Sequence, residues 1–312
     1  MNQLDRDSVV AGALERLIPG SVTRDARLSE LTTYHLGGPV AALVRATSLS
    51  ALAAVARVVR EFAPPVLIVG RGSNLLIADR GFPGVAVVLA GDFEHVDLAA
   101  APGVVRAGGA VPLPVLARRA AAAGRCGLEF FVGIPGSVGG AVRMNAGGHG
   151  RETVDVLRNA WSVDLAGSGE EMVRPAGELG LGYRRSALTG SEIVTGAEFG
   201  VGEAEPSVCE AAVAEVVRWR REHQPGGANA GSVFRNPPGD SAGRIIDAAG
   251  LKGLRVGGAV VSTKHANFFQ ADPGATAEDV HRLIREVRRR VHDATGILLE
   301  PELRLLGFEE GS

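Results

Sequence analysis

The run Gly133–Gly150, GIPGSVGGAVRMNAGGHG, carries seven glycines in eighteen residues. Ser137 and Asn145 stand among them as hydrogen-bonding side chains. A second run, Gly70-Arg71-Gly72-Ser73-Asn74, follows the apolar stretch Val66–Val69. Glycine-rich backbone lets N–H groups approach a phosphate with no side chain in the way. Two such runs point to a ligand with a long phosphate-bearing body, such as a dinucleotide. The ordinary alternative is a tight turn in a glycine-rich protein, since glycine supplies 43 of 312 residues. The βαβ fingerprint GxGxxG is not met, because Leu75 stands where the third glycine belongs and Asp79-Arg80-Gly81 turns the chain where a helix should run. The sequence therefore predicts a cradle built from loops rather than from a helix N-terminus. Short strands and helices mixed without strict βαβ alternation argue against a doubly wound sheet.

Outward from these runs, periodicity predicts helices at 48–62, 113–123, 207–223, 241–249 and 277–294, with a leading helix and tail over residues 1–24. Apolar β-branched runs at 66–69 and 85–89 read as strands, and 153–201 reads as strands and turns. A boundary is placed near Glu203-Ala204-Glu205-Pro206. This predicts a domain over 25–203 and a second domain over 204–312. A chain this long exceeds the usual single core.

Net charge is −2 with 22% charged residues, and no basic stripe speaks for nucleic acid. Arg285, Arg288, Arg289 and Arg290 fall on an amphipathic stretch and read as a solvated helix face. No apolar run reaches membrane-spanning length, and no signal peptide is read. Cys126 and Cys209 sit in apolar contexts and are expected to be buried and reduced, in keeping with a cytoplasmic protein. Histidine and cysteine spacing suggests no metal site.

Lysine is scarce, with Lys252 and Lys264 alone among 33 basic residues, and five of seven asparagines (Asn74, Asn145, Asn229, Asn236, Asn267) fall in glycine-rich or basic motifs. Four clusters carry chemistry. In Gly182-Tyr183-Arg184-Arg185-Ser186, an arginine beside a tyrosine can clamp a carboxylate or stabilise an enolate. In Asn229–Pro237, Ser232 follows a glycine in a strand-like run and can donate a proton to a carbanion, although most such serines only satisfy backbone. In Ser262–Phe268, Lys264 and Asn267 form a candidate anion or sugar grip. Alternation along Leu299–Arg304 puts Glu300, Glu302 and Arg304 on one strand face, as an acid or an orienting group, or as an ordinary cross-strand ion pair.

Together these segments resemble the UDP-N-acetylenolpyruvoylglucosamine reductase family, whose motifs run here in order: Thr33-Tyr34 with Gly37-Gly38; GRGSNLLIADRGFPG (70–84); the run 133–150; GYRRS (182–186); NAGSVFRNP (229–237); AAGLKGLRVGGAVVSTKHANFF (248–269); and LEPELRLLG (299–307). They span nearly the whole chain. The resemblance implies an FAD-binding domain of the vanillyl-alcohol-oxidase type over 25–203, in two α+β subdomains split near 90–110, followed by an α+β substrate-binding domain. It implies non-covalent FAD, NADPH as hydride donor, a UDP-sugar substrate, a place in peptidoglycan synthesis, no nucleic acid and no membrane insertion. Lacking a tyrosine-bearing extra loop, the chain is similar to the shorter, second type.

Carried over residue by residue, the resemblance makes Arg184, Ser232 and Glu302 catalytic. FAD contacts fall on Tyr34, Gly70, Arg71, Gly72, Ser73, Asn74, Leu75, Gly133, Ile134, Pro135, Gly136, Ser137, Gly139, Gly140, Asn145, Ala146 and Gly147. Substrate contacts fall on Tyr183, Arg221, Gln224, Asn229, Asn236, Lys264 and Asn267. His149 stands where the family often has an aromatic ring, and Arg185 occupies a variable position. Two competing readings share the cradle: a flavin oxidase of the same fold, and a sugar-nucleotide sensor that has lost flavin.

Overall fold

The computed structural model describes residues 3–308. The chain forms two compact units. The first gathers residues up to 26, 40–71 and 83–219; the second takes 27–39, 72–82 and everything from 220 on. The division falls at 219/220, not near 203, and two early segments join the C-terminal unit. The stretch read as a linker is structured: Gly202–Glu203 pairs antiparallel with Arg125–Cys126.

In the first unit, helices α1 (Gln3–Leu17) and α2 (Leu49–Phe62) share one core with a four-stranded sheet, ordered Val22–Arg27, Pro39–Ala46, Phe82–Leu89, Val66–Ile68. α2 starts where Ser48 accepts the Ala51 N–H. It stops at Ala63, which turns left-handed ahead of two prolines. Its Leu52, Val55, Ala56 and Val59 form the buried stripe that the helical period places on one side.

A second layer of this unit is a five-stranded antiparallel sheet, ordered Glu171–Pro175, Leu157–Asp164, Glu192–Gly200, Val104–Gly108, Val96–Ala101. Helices α3 (Leu113–Ala122), α4 (Val138–Met144) and α5 (Pro206–His223) contribute to its core. Cys126 and Cys209 are not reduced thiols here. They form a disulfide with Cα atoms 5.6 Å apart, closing an 83-residue separation. In the chain-entropy account a loop of that length makes such a bond worth on the order of 4–5 kcal/mol. Sequence spacing carried no sign of it, because the short strand holding Cys126 and the first turns of α5 meet only in the folded unit.

In the second unit, α6 (Ala242–Ala248) and α7 (Ala277–Thr295) surround a three-stranded antiparallel sheet, Arg255–Val256, Ala259–Val261, Phe269–Ala271. A parallel pair, Leu75–Ile77 with Arg304–Leu306, completes it. Tyr34, Leu76, Phe234, Phe269 and the α7 stripe Val280, Leu283, Ile284, Val287, Val291 make one core. On the outer face of α7, Arg289 and Arg290 pair with Glu286, which is the solvated pattern its sequence predicts. No helix among the described residues is long and apolar enough to cross a membrane.

The start of α7 is heavily specified. Thr276 and Asp279 form a capping box, and the Asp79 carboxylate accepts the Ala277 and Glu278 N–H groups. Asp279 also accepts from the Gly258 N–H at 3.1 Å. A Cβ at Gly257, whose φ is +54°, would lie 2.1 Å from the Asp279 Oδ1. Burial works against the Asp279 charge, but the Gly258 and Thr276 amides and Arg282 outweigh it and hold its carboxyl below the usual range. A carboxyl depressed on folding contributes stability above its unfolded pKa, and that contribution is lost as pH falls through the folded value. Asp279→Ala is therefore expected to cost about 1–2 kcal/mol at neutral pH. Unfolding curves of parent and variant should converge as pH drops below roughly 4; a gap that stays constant into acid would refute the carboxylate's role.

Candidate functional site

In the first unit the two glycine runs meet. A Cβ placed on Gly70 would lie 2.6 Å from the Ser137 Oγ. Ser137 is itself buried and accepts the Gly140 N–H at 3.3 Å, so the second run opens α4 instead of remaining a pure loop. The loop-only cradle expected from sequence is corrected to that extent. Gly139 is required by packing, since a Cβ there would press on the carbonyls of Val194 and Gly109 at 3.0 and 3.2 Å. Ile134 packs on the core, Gly133 lies beside Val216 and His149, and Pro135 is exposed. The N–H groups of Arg71, Gly136 and Ser137 have no hydrogen-bond acceptor among the described residues. Backbone donors with glycine between them suit a pyrophosphate, so these residues fit the phosphate body of FAD.

Asn145 follows α4 as a buried left-handed cap, with φ +42°. Its amide donates to Glu152 at 2.8 Å and to the Gly182 carbonyl at 3.2 Å, and its oxygen accepts the Val154 N–H at 2.9 Å. The Ala146 carbonyl takes both the N–H and the hydroxyl of Thr153, and Gly147 pairs with Glu152. These three residues, read as cofactor contacts, build the bed on which Arg184 lies.

Gly182 and Arg185 exchange two backbone hydrogen bonds, closing a turn in which Arg184 is left-handed, φ +53°. Its guanidinium donates to the Gly147 carbonyl at 3.2 Å, stands 3.7 Å from the Glu152 carboxylate and lies over the Tyr183 ring at 5.0 Å. A non-glycine residue held there marks a site where the surroundings impose the conformation. Sequence reasoning missed Glu152, although an Arg-Glu pair directly after the glycine run was a signal for it. Tyr183 and Arg185 are exposed. His149 meets Trp219 edge-on at 4.9 Å, so this ring does keep an aromatic contact.

In the second unit, Ser232 sits in a segment paired on both sides. Asn229 folds back on the Gly227 carbonyl and the Gly231 N–H just before it. Ser232 bridges Phe268, Val233 donates to Asn267 at 2.9 Å, and Glu302 donates to the Val233 carbonyl at 2.7 Å. The Asn267 side chain is buried and occupied by both backbone groups of Phe234, at 2.9 and 2.8 Å. Asn236 accepts the Ala242 N–H. These asparagines therefore shape the Ser232 segment. The segments holding Ser232 and Glu302 lie side by side, joined by the Glu302 N–H on the Val233 carbonyl.

The continuous strand expected over 299–304 is interrupted: Pro301 bridges Phe234, Leu303 bends, and regular pairing begins at Arg304. Glu300, Glu302 and Arg304 thus do not form a regular strand face. Tyr34 is 1% exposed and donates to the Phe269 carbonyl, and burial pushes its phenol pKa upward. Its hydroxyl proton is spent on that carbonyl inside the core of the second unit. Gly72 is left-handed with a Cβ position 1.9 Å from the Leu31 carbonyl; Ser73 is half-buried, and Leu75 lies in the parallel pair. The Lys264 ammonium caps the Arg221 carbonyl, and Gln224 accepts from Arg220 at 2.7 Å. Lys264 and Arg221 are exposed. Burial lowers the His265 pKa, consistent with its Nδ1 accepting the Asn267 N–H.

Two family profiles match the chain: an FAD binding domain over residues 40–171, and the C-terminal domain of UDP-N-acetylenolpyruvoylglucosamine reductase over 223–306. A UDP-N-acetylenolpyruvoylglucosamine reductase of Rubrobacter xylanophilus is 41% identical over 95% of this chain and 98% of its own. That of Paramagnetospirillum magneticum is 43% identical over 93% of this chain and 94% of its own. The crystal structure of UDP-N-acetylenolpyruvylglucosamine reductase from Thermus caldophilus superposes with a TM-score of 0.81 at 38% identity, covering 91% of this chain and 98% of that one.

Proposed function

The chain belongs to the UDP-N-acetylenolpyruvoylglucosamine reductase family, and on that premise we propose that NADPH is its hydride donor and that Ser232 protonates the reduced substrate. It is an FAD-dependent oxidoreductase of peptidoglycan precursor synthesis, with an FAD-binding domain of the vanillyl-alcohol-oxidase type. The product is UDP-N-acetylmuramate, and the reading sets the enzyme in the cytoplasm with its two soluble substrates.

The backbone of Gly70-Arg71 and of residues 133–137 would hold FAD, which when bound would supply two-electron chemistry between NADPH and the vinyl methylene carbon of the substrate. As that carbon gains hydride, negative charge develops on the enolpyruvyl carboxylate. Arg184, steadied by Gly147 and Glu152, meets that charge as a cation. Glu302 is assigned a second stabilising role toward the enolate. The Ser232 hydroxyl then donates its proton to the carbon next to the carboxylate and recovers one from solvent. Serine is a weak acid, so the step demands a strongly basic enolate and a fixed hydroxyl. The double-sided pairing of the Ser232 segment, with Glu302 hydrogen-bonded to Val233, is the observation that carries this reading.

Absorbance spectroscopy of the purified protein tests it. Flavin bands should bleach under anaerobic NADPH and return only with enolpyruvyl-UDP-N-acetylglucosamine. Recovery with oxygen alone would indicate an oxidase. Absence of flavin bands, even after FAD is added, would leave a flavin-free sugar-nucleotide binder.

A further inference from the structure

Asn74 closes the first glycine run, where its amide would be expected to serve a phosphate. In the second unit that amide is already engaged. Asn74 Nδ2 donates to the Glu302 carbonyl at 3.3 Å, and the Asn74 carbonyl accepts the Arg304 N–H at 3.1 Å. One residue therefore grips the backbone on both sides of Leu303, where the chain bends and Leu303 is 4% exposed. Beyond the bend, Leu75–Ile77 pairs in parallel with Arg304–Leu306. The Asn74 side chain extends this ladder past the point where regular pairing ends.

The other side of Glu302 is held as well, since its N–H donates to Val233, the neighbour of Ser232. Both polar groups of the Glu302 main chain are thus fixed, one by the Ser232 segment and one by Asn74. With N–H and C=O both tied, the direction in which the Glu302 side chain leaves its Cα is set relative to Ser232. A short side chain carrying a hydrogen-bond donor is what this needs at position 74. Aspartate would set an acceptor and a negative charge against a carbonyl, and alanine would leave that carbonyl unmatched.

We infer that Asn74 is a positioning residue for the sugar-reduction step, acting through Glu302; the inference rests on the catalytic reading of Glu302 given above. It differs from a phosphate-binding role in what it controls. A phosphate ligand would govern FAD affinity, whereas a positioning residue governs reoxidation of the flavin by the sugar nucleotide.

The test uses the FAD-loaded full chain with Asn74→Ala, Asn74→Ser, Glu302→Gln and the Asn74→Ala/Glu302→Gln double variant. Single-turnover reduction by NADPH, reoxidation by enolpyruvyl-UDP-N-acetylglucosamine, FAD dissociation and the pH profile of reoxidation are measured. Misplacement of a reacting group by about 1 Å costs on the order of 10²-fold, so Asn74→Ala should slow reoxidation by about tenfold or more relative to its effect on flavin reduction. It should also move the pH limb that Glu302→Gln abolishes, and add little in the Glu302→Gln background, the signature of two residues acting as one unit. Asn74→Ser, which keeps a short donor, should recover part of the loss, and it carries the comparison if the alanine variant does not fold. A Glu302→Gln protein that reoxidises at the parent rate would remove the catalytic reading itself. If Glu302→Gln is slow but Asn74→Ala is not, or if the two losses multiply, the positioning role alone is overturned. Loss of FAD affinity with reoxidation unchanged in the loaded fraction would return Asn74 to the phosphate cradle.

Discussion

Ser232→Ala should leave flavin reduction by NADPH at the parent rate and slow flavin reoxidation by the sugar nucleotide about 10²–10⁴-fold. The change removes one hydroxyl and no backbone contact. The Val233–Asn267 and Glu302–Val233 hydrogen bonds and the Asn229 turn before Gly231 involve main chain or other side chains, so the segment keeps its place. Any loss then belongs to chemistry, and a thermal midpoint within a few degrees of the parent, equivalent to roughly 1 kcal/mol or less, would establish that. Without the hydroxyl the enolate has no positioned proton donor and must wait for water. The first half-reaction involves no carbon acid, so it should not respond. Rapid mixing resolves the two steps by flavin absorbance. Equal losses in both, or none in either, would defeat the assignment.

The features the sequence made legible are those specified by near neighbours. α2 starts at Ser48, α6 at Ser241 and α7 at Thr276, each a side chain accepting a backbone N–H three residues on, and the three helices fall where periodicity places them, at 48–62, 241–249 and 277–294. What stayed hidden depends on partners far along the chain. Segments 27–39 and 72–82 join the C-terminal unit through pairings such as Asn74 with Glu302, 228 residues apart, which no local period records. The Cys126–Cys209 bond has the same origin. Residue type alone does not separate a ligand contact from a structural one: Tyr34, Asn145 and Asn267 are each buried and hydrogen-bonded to backbone or neighbouring side chains. A buried polar group must find a partner, and in a tightly turning backbone the carbonyl a few ångströms away satisfies it as well as a ligand would.

Arg184 separates stability from activity in a way few positions allow. Its left-handed backbone costs a non-glycine residue roughly 1–2 kcal/mol, so Arg184→Gly removes strain while it removes the guanidinium. The lost bond to the Gly147 carbonyl offsets part of that relief, and the variant should unfold at a temperature equal to or above the parent's. Activity should move the opposite way. Withdrawing a positioned cation from developing carboxylate charge costs about 10²–10³-fold, seen in reoxidation by the sugar nucleotide and not in reduction by NADPH. Arg184→Lys keeps the charge but loses the planar fork that can face Gly147 and a carboxylate together, and it keeps the strained backbone. It should therefore fall between parent and glycine in rate while ranking lowest in stability. A structural role predicts that rate follows stability across the three proteins; charge stabilisation predicts the crossed order. Thermal unfolding and single-turnover reoxidation on the same preparations decide between them, and an Arg184→Gly protein as fast as the parent would strike Arg184 from the mechanism.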